Sequence, residues 1–251
     1  MPELFIKRLQ HGARLNAADR ARIRDLCQTS YWVEAGEDVV TEGRQVPQGY
    51  AVLEGLAAPY KLLADGSRQI FQFLLPGDTC DIHRQPLSWR DNSLAALVRS
   101  RIVRISPEEL DAITQEHPNL ARAFWWTMVC AQGMMRERVT SLGRRSADKR
   151  LAHLFCELEV RMRSIDGVEA NGDGYASFSF PVTQPELADA VGLTAVHVNR
   201  TLQQLRDADL VAFRGRRVTI MDGPRLAALA GFDPRYLHLD QVNNRSIMRS
   251  T

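Results

Sequence analysis

The chain has 251 residues, of which 45% are hydrophobic and 25% are charged, with a formal net charge of +2. This composition is that of an ordinary soluble globular protein with room for two modest domains, and the weak net charge does not by itself indicate a nucleic-acid partner. The sequence also has no apolar run of about eighteen residues and no signal-peptide core, which argues against a membrane span and predicts a cytoplasmic protein.

The four cysteines lie far apart in the chain. Because no Cys-x-x-Cys pair occurs, the sequence supports neither a zinc ribbon nor a cysteine-ligated iron–sulfur cluster, and we predict no metal site. Isolated cysteines in a cytosolic chain are usually buried and unreactive, which is the default expectation for Cys27, Cys80, Cys130 and Cys156.

The first half of the chain changes from a helical to a strand-like pattern. Residues 15–27 have helical periodicity behind an Asn-Ala-Ala-Asp start, whereas residues 31–103 consist of short β-rich segments separated by glycines. Two longer strands are predicted around the Asp65-Gly66 turn, followed by a second turn at 76–78. Strands at this spacing predict a small β-roll or jelly-roll barrel.

A long helix is predicted after the barrel. Residues 106–118 open with a Ser-x-x-Glu capping box and form one helix, and a longer helical stretch continues to about Arg144. Its apolar residues recur at spacings of 4, 3, 4, 4 and 3, which approximates a coiled-coil seam: Phe124, Met128, Ala131, Met135, Val139 and Leu142. The seam favours a two-fold dimer interface, and packing of the helix on its own barrel is the alternative. Trp125 and Trp126 are expected to face the barrel.

Two helices separated by a glycine corner follow in "TQPELADAVGLTAVHVNRTLQQLR", residues 183–206. Thr183 and Glu186 form a capping box at the start of the first helix, and Thr194 caps the second. Gly192 at the corner takes a positive φ at little cost. The inward stripe predicted for the second helix is Val198, Leu202 and Leu205.

The segments on either side of these two helices complete a larger motif. A helix is predicted over 146–164, and a short strand lies within 168–182. A hairpin is predicted over 210–222, around Arg214-Gly215. Two helices followed by a β-hairpin are the pattern of a winged helix-turn-helix.

The outward face of the second helix carries residue types that read DNA. A recognition helix presents its N-terminal residues to base edges in the major groove, where Arg pairs with guanine and Asn with adenine. The predicted base-reading residues are Ala195, Val196, Asn199 and Arg200. The predicted phosphate-contacting residues are Thr183, Gln184, Thr194, His197, Gln203, Arg214, Arg216 and Arg217. An ion pair within the helix is the alternative for Arg200, and an ordinary surface position is the alternative for His197.

The barrel, the "LLPGD" turn, the long helix and the helix-turn-helix with its hairpin together resemble the CRP/FNR family of bacterial transcription regulators. The resemblance covers nearly the whole chain and implies an α+β fold of three parts. These are a cyclic-nucleotide-binding-like, jelly-roll-like β-roll at 1–118, a dimerisation helix at 119–144, and a winged helix-turn-helix domain with a tail at 145–251. It implies a homodimer that binds double-stranded promoter DNA and contacts RNA polymerase. Arg200 matches the family, but Val196 stands where familiar members have Glu. We therefore do not expect this chain to bind the same operator half-site as those members.

The residues that bind cyclic AMP in this family are not matched. Members that bind it carry Gly-Glu after the Gly-Asp turn and Arg-Ser further on, whereas this chain has Asp81-Ile82 and Asn92-Ser93. The adenine-contacting polar pair of the long helix becomes Met135-Arg136. Since Ile cannot bind a ribose hydroxyl and Asn cannot pair with a phosphate as Arg does, we predict that cAMP is not bound. The candidate effector-pocket residues are Asp81, Ile82, His83, Asn92, Ser93, Met135 and Arg136.

Other signals known in the family leave several alternatives open. The N-terminal cysteine group of the oxygen-sensing type is absent, because Cys27 stands alone there. A haem needs an axial His or Cys, for which Cys80, His83 and His117 are candidates, and Cys80 is also a candidate redox-active thiol. The remaining expectation is an unidentified small metabolite or ion, or no effector, so the cofactor is unknown.

A sequence-specific, DNA-binding transcription regulator without enzymatic activity is the predicted function. One alternative is a ligand-binding barrel whose helix-turn-helix makes only protein contacts. Another is a cupin-like enzyme, which needs several metal-binding histidines, but residues 31–103 contain only His83. Residues 136–150 are the predicted hinge between the barrel and the DNA-binding part, with Gly143 absorbing the change in backbone angles.

Overall fold

A computed structural model describes residues 2–45, 48–82, 89–171 and 174–239, and the chain divides into two compact units. The barrel unit contains Met1–Lys61, Gln72–Gly133 and His238–Thr251. The helix-turn-helix unit contains Leu62–Phe71 and Met134–Leu237. Among the described residues, no helix combines the length and the apolar character needed to cross a membrane.

The first half of the chain forms two helices and eight antiparallel strands within the described residues. The helices are α1 (Pro2–Gln10) and α2 (Ala17–Gln28). The strands are β1 (Tyr31–Val33), β2 (Asp38–Val40), β3 (Gly49–Glu54), β4 (Ala57–Leu62), β5 (Arg68–Ile70), β6 (Thr79–Cys80), β7 (Ser93–Ala96) and β8 (Ser100–Ile105). Their order is β1-β8-β3-β6 in one sheet and β2-β7-β4-β5 in the other, which confirms the predicted β-roll.

Two apolar clusters stabilise the barrel unit. One packs residues of α1 and α2, such as Phe5 and Ile23, on the inner side of β8 at Val103. The other draws on both sheets and includes Tyr50 and Leu94. The capping box that starts α2 is made by Asn16, whose side chain accepts from the backbone N–H three residues later at 2.9 Å.

The barrel is followed by α3 (Pro107–Glu116) and α4 (Pro118–Arg144). The predicted capping box at the start of α3 is confirmed, because Ser106 and Glu109 cap each other's backbone N–H groups. The two compact units divide α4 between Gly133 and Met134, whereas the domain limits at residues 118 and 144 remain predictions. Gly143 lies in the last turn of α4, and its hinge role also remains a prediction.

Burial along α4 corrects the predicted dimer seam. Phe124 is only 4% exposed and packs on Phe5 with ring centroids 6.2 Å apart, so it belongs to the barrel core and does not face a second copy. Leu142 is half-buried and packs close to Gly192. The exposed apolar residues run along a neighbouring line on the helix, and we call this line the α4 stripe: Trp125, Val129, Met135 and Val139.

The two tryptophans of α4 differ sharply in burial. Trp126 is buried in the barrel unit against Gly12, where an added Cβ would lie 2.6 Å from the Trp126 Cβ. The Trp126 indole N–H donates to the backbone oxygen of His238 at 3.0 Å. Trp125 is 61% exposed, so the expectation that it faces the barrel is wrong.

The helix-turn-helix unit continues with α5 (Ala147–Arg163) and a sheet of order β11-β12-β10-β9. Its remaining elements are β9 (Glu169–Ala170), β10 (Ala176–Ser179), α6 (Gln184–Val191), α7 (Ala195–Asp207), β11 (Val211–Arg214), β12 (Arg217–Ile220), α8 (Gly223–Ala230) and a 3-10 helix (Pro234–Leu237). The predicted winged helix-turn-helix is therefore present. The hairpin turns at Gly215 and Arg216, both at positive φ, one residue later than predicted.

A buried polar cluster joins α5 to the 3-10 helix. The Tyr236 hydroxyl donates to Glu157 at 2.8 Å, and Glu157 also pairs with buried Arg161 at 3.2 Å. The His153 ring stacks on Tyr236 at 6.0 Å. Burial lowers the pKa of His153 to about 4, and the positive charge of Arg145 acts in the same direction.

The buried His153 makes stability depend on pH. In the unfolded chain this histidine takes up a proton near pH 6.5, whereas in the folded chain it does so only near pH 4. The contribution of His153 to the free energy of unfolding is therefore fully present above pH 6.5 and is lost as the pH falls below that value. We expect a loss of about 2 kcal/mol between pH 8 and pH 5 from this residue. Urea unfolding should show a flatter pH dependence for His153→Phe than for the wild type, and equal slopes would contradict the assignment.

Candidate nucleic-acid interface

Helix α6 is fixed at both ends by local backbone chemistry. At its start the Thr183 hydroxyl accepts from the Glu186 N–H at 3.3 Å and donates to the Glu186 carboxylate at 2.9 Å, which confirms the predicted capping box. The same bonds occupy the hydroxyl that is predicted to contact a phosphate. At the other end Gly192 adopts a left-handed conformation with φ of 63°, which favours glycine at this corner.

Helix α7 starts at the predicted cap and buries the predicted stripe. The Thr194 side chain accepts from the His197 N–H at 3.2 Å. Val198, Leu202 and Leu205 are all buried in the helix-turn-helix unit. Because this stripe faces inward, the opposite face of α7 is available to a partner.

The first two turns of α7 expose the predicted base-reading residues. Val196 is 81% exposed, Asn199 and Arg200 are exposed, and Ala195 is half-buried. Within the described residues no ion pair or hydrogen bond involves the Arg200 side chain, so the alternative of an intrahelical ion pair finds no support. The Asn199 amide donates to the Gln184 side-chain oxygen at 3.2 Å, which links the starts of α6 and α7.

The predicted phosphate-contacting residues differ in whether their side chains already have a partner within the protein. Gln203 donates to Asp207 at 2.6 Å, and Arg217 pairs with Glu169 at 3.1 Å, so both side chains already have partners. Arg214 and Arg216 are exposed at the tip of the β11–β12 hairpin, the wing, and form no ion pair among the described residues. His197 is half-buried near the start of α7. Their roles toward DNA remain predictions.

Aromatic packing holds the wing in place. Phe213 of β11 lies 6.3 Å from Phe180 and 6.4 Å from Phe155, measured between ring centroids. Because Phe155 belongs to α5, the wing is anchored to the helix that supports α7. The two exposed arginines at the wing tip therefore project from a fixed support.

In the barrel unit, sequence reasoning missed a buried arginine that contacts Asp81, one of the candidate effector residues. The Arg90 side chain is 1% exposed, forms an ion pair with Asp81, and lies 5.4 Å from the centroid of the Tyr50 ring. Arg90 and Asp81 are nine residues apart, which fits neither a helical nor a strand period, so no local pattern in the sequence marks them as partners. Asp81 adopts a positive φ of 57°, which is uncommon for a non-glycine residue.

The other candidate pocket residues are scattered. Ile82 is buried against Gly49, Asn92 is buried, and the Ser93 hydroxyl accepts from the Glu42 N–H at 2.9 Å. Met135 and Arg136 are exposed on the part of α4 that belongs to the helix-turn-helix unit. His83 lies outside the described residues.

Three described cysteines and one described histidine bear on the redox or haem centre, which remains a prediction. Burial raises the pKa of Cys27 to about 11 and that of Cys156 to about 12, so both stay protonated at neutral pH. Cys80 is half-buried with its Sγ 3.1 Å from the Asp81 carboxylate, and His117 lies 3.3 Å from Asp19. Within the described part of the chain, no group of three potential ligands is placed to hold a metal ion.

Two family models match the chain. Residues 32–117 match the cyclic nucleotide-binding domain, and residues 149–229 match the Crp-like helix-turn-helix domain. The first match covers the barrel strands and α3. The second covers most of α5, both helices of the DNA-reading motif and the wing.

Several characterised proteins are similar over nearly their whole length. The nitrogen fixation regulation protein FixK of Bradyrhizobium diazoefficiens is 29% identical over 225 residues, covering 88% of this chain and 91% of the relative. The transcriptional activator protein FnrL of Cereibacter sphaeroides is 28% identical over 229 residues, covering 90% of each chain. The solved structure of FixK2 from Bradyrhizobium japonicum superposes with a TM-score of 0.69 at 24% identity, covering 82% of this chain and 98% of that one, which shows a shared fold.

Proposed function

The chain belongs to the CRP/FNR family of bacterial transcription regulators, and on that premise we propose that it acts as a cytoplasmic homodimer that reads promoter DNA with α7 and contacts RNA polymerase. Two of its similar relatives are transcriptional activator proteins, FnrL and Anr, and a third is the nitrogen fixation regulation protein FixK, which supports a role in transcription regulation. We propose no catalytic role for the chain.

The observation that carries the proposal is the face of α7. A capped recognition helix exposes Asn199 and Arg200 at its N-terminal end, while its opposite side is fully engaged in the core. A guanidinium in this position can donate two hydrogen bonds to guanine, and an amide can pair with adenine. The exposed wing arginines add charge where a neighbouring phosphate backbone would pass.

The proposal is tested by DNA retardation. Purified protein is mixed with the DNA upstream of its own gene and, separately, with a shuffled fragment of the same composition. We expect retention of the upstream fragment at a protein concentration that leaves the shuffled one free, with steep salt dependence from the phosphate contacts. Equal retention of the two fragments would contradict sequence-specific binding.

The dimer is proposed to form along the α4 stripe. Its four apolar side chains are exposed in the single chain, with Val139 at 63% and Trp125 at 61%. A row of exposed apolar residues on one helix face is what a second, symmetry-related helix would cover. The two recognition helices of such a dimer would read half-sites about one helical turn apart.

The barrel is proposed not to bind cyclic AMP. The buried Arg90 side chain is already neutralised by Asp81, and Ile82 is packed into the core and offers no carboxylate for a ribose hydroxyl. A phosphate brought near Arg90 would meet a guanidinium whose charge Asp81 already compensates, and the Asp81 carboxylate would repel it.

This predicts a null result in calorimetry. Titration of about 1 mM cAMP into the protein should give no binding heat and no rise in melting temperature, because weak or absent binding adds little stability. The Asp81→Asn variant is the informative comparison, since it frees Arg90 without changing the size of the side chain. Binding of cAMP to the wild type in the micromolar range would contradict the prediction.

A further inference from the structure

The C-terminal end of α6 is held by side chains from outside the helix. The last carbonyl groups of any helix lack partners within it. Here the Gln69 amide donates to the backbone oxygens of Asp189 at 2.8 Å and of Ala190 at 3.4 Å. Arg150 of α5 donates to the backbone oxygen of Val191 at 3.1 Å. Three successive orphan carbonyls are therefore satisfied by two distant side chains.

An ion pair strengthens the contact from the hairpin that carries β5. The Arg68 guanidinium lies 2.7 Å from the Asp189 carboxylate, and each side chain keeps only about a quarter of its surface exposed, at 27% and 26%. Arg68 and Gln69 are adjacent residues on the same strand. The segment Leu62–Phe71, which contains both, is part of the same compact unit as α6.

Arg150 extends this contact to the end of α4. Its remaining N–H groups donate to the backbone oxygens of Leu142 and Arg145, both at 2.9 Å. The Leu142 side chain also packs against the corner glycine, since an added Cβ on Gly192 would lie 2.8 Å from it. A single guanidinium fork thus ties together the ends of two helices, which a lysine with one charged nitrogen cannot do.

We propose that Arg68, Gln69, Asp189 and Arg150 form a clasp that positions the recognition helix for DNA reading, an inference that rests on the proposed function. The clasp fixes the corner at Gly192, and α7 begins three residues later. The position of the corner sets where Asn199 and Arg200 lie. Base-edge hydrogen bonds tolerate only small displacements, so a loosened corner weakens specific binding although no clasp residue reads a base.

Charge reversal separates this positioning role from direct contact of Arg68 with DNA. Arg68→Asp and Asp189→Arg each break the ion pair, so each single variant should bind the upstream fragment about tenfold more weakly. The double variant restores the ion pair with the two charges exchanged, and its affinity for the upstream fragment should return to within about threefold of the wild-type value. Direct contact of Arg68 with a phosphate predicts instead that Asp189→Arg binds more tightly and that the double variant stays weak.

The test measures fluorescence anisotropy on the upstream and shuffled fragments, with melting temperatures to confirm folding. Reversal of the exposed Arg99–Glu34 pair, whose atoms lie 2.9 Å apart in the barrel unit, is the matched control and should leave affinity unchanged. Arg150→Lys should lower specific affinity about fivefold while binding to the shuffled fragment is retained. Wild-type affinity in the single variants, or a double variant without recovery, overturns the clasp while the proposed function stands. A wild type that does not distinguish the two fragments overturns both.

Discussion

Replacing Arg200 by alanine is expected to cause the largest loss of specific DNA binding of any single change in the protein. Arg200 is exposed and forms no ion pair within the described residues, so its guanidinium is free to donate two hydrogen bonds to a guanine. Each such bidentate contact contributes about 1–3 kcal/mol of discrimination. Because a dimer carries two copies, the total loss should be about 2–6 kcal/mol.

The measurement is anisotropy on the upstream fragment at one fixed salt concentration, with the shuffled fragment as a second probe. Arg200→Lys should also lose specific affinity, because an ammonium group cannot form the bidentate pair of hydrogen bonds that a guanidinium makes with guanine. The matched control is Arg206→Ala, which removes the same charge from the last turn of α7, away from the N-terminal residues that enter the groove. Equal losses for Arg200→Ala and Arg206→Ala would indicate a general charge effect and contradict base reading by Arg200.

Placing a carboxylate in the middle of the α4 stripe is expected to separate the two copies. Val139 is 63% exposed in the single chain, and a dimer along α4 would bury it against its symmetry mate. In the Val139→Asp variant, two introduced carboxylates would face each other without a counter-ion at a cost of several kcal/mol, which weakens dimerisation by about 100-fold or more. This variant should therefore sediment as a monomer at micromolar concentration.

The control is the same substitution at Thr140, the next residue on the helix. Thr140 is exposed and points about 100° around the helix from Val139, so Thr140→Asp adds the same charge to the edge of the exposed face and not to its centre. We expect Thr140→Asp to sediment with the wild type and Val139→Asp to lose most of its affinity for a two-part DNA site. A Val139→Asp variant that stays dimeric would contradict the α4 stripe as the interface.

The DNA-reading motif could be predicted closely because its determinants are local in sequence. Caps at Thr183 and Thr194, a glycine at the corner and an apolar repeat along α7 each act within one or two helical turns. All of these were confirmed. Local rules of this kind need no knowledge of the rest of the fold.

The face of α4 could not be predicted as well, because that helix carries two apolar lines. Periodicity identifies both lines but does not indicate which one packs on the helix's own core. Phe124 therefore entered the predicted seam, although it packs on Phe5 of α1. Helix α1 itself was missed, despite the apolar spacing of Phe5 and Leu9, and with it the partner that decides the orientation of α4.

The polar contacts that join distant segments were also beyond sequence reasoning. Arg90 pairs with Asp81, which lies nine residues earlier in the sequence, and Arg68 pairs with Asp189 across more than a hundred residues. Neither spacing follows a helical or strand period, so nothing in the local pattern marks these residues as partners. Such pairs follow only from the tertiary fold, which is why neither the neutralised barrel arginine nor the clasp on α6 could be predicted.

Selection from random double-stranded DNA tests the central proposal, a homodimer that reads DNA with α7, most directly. Wild-type protein is predicted to enrich two half-sites related by two-fold symmetry, with centres about 10 base pairs apart and a guanine in each half. The same selection with Arg200→Ala should lose the preference at that guanine. Enrichment of a single asymmetric site, or no enrichment at all, would contradict the account.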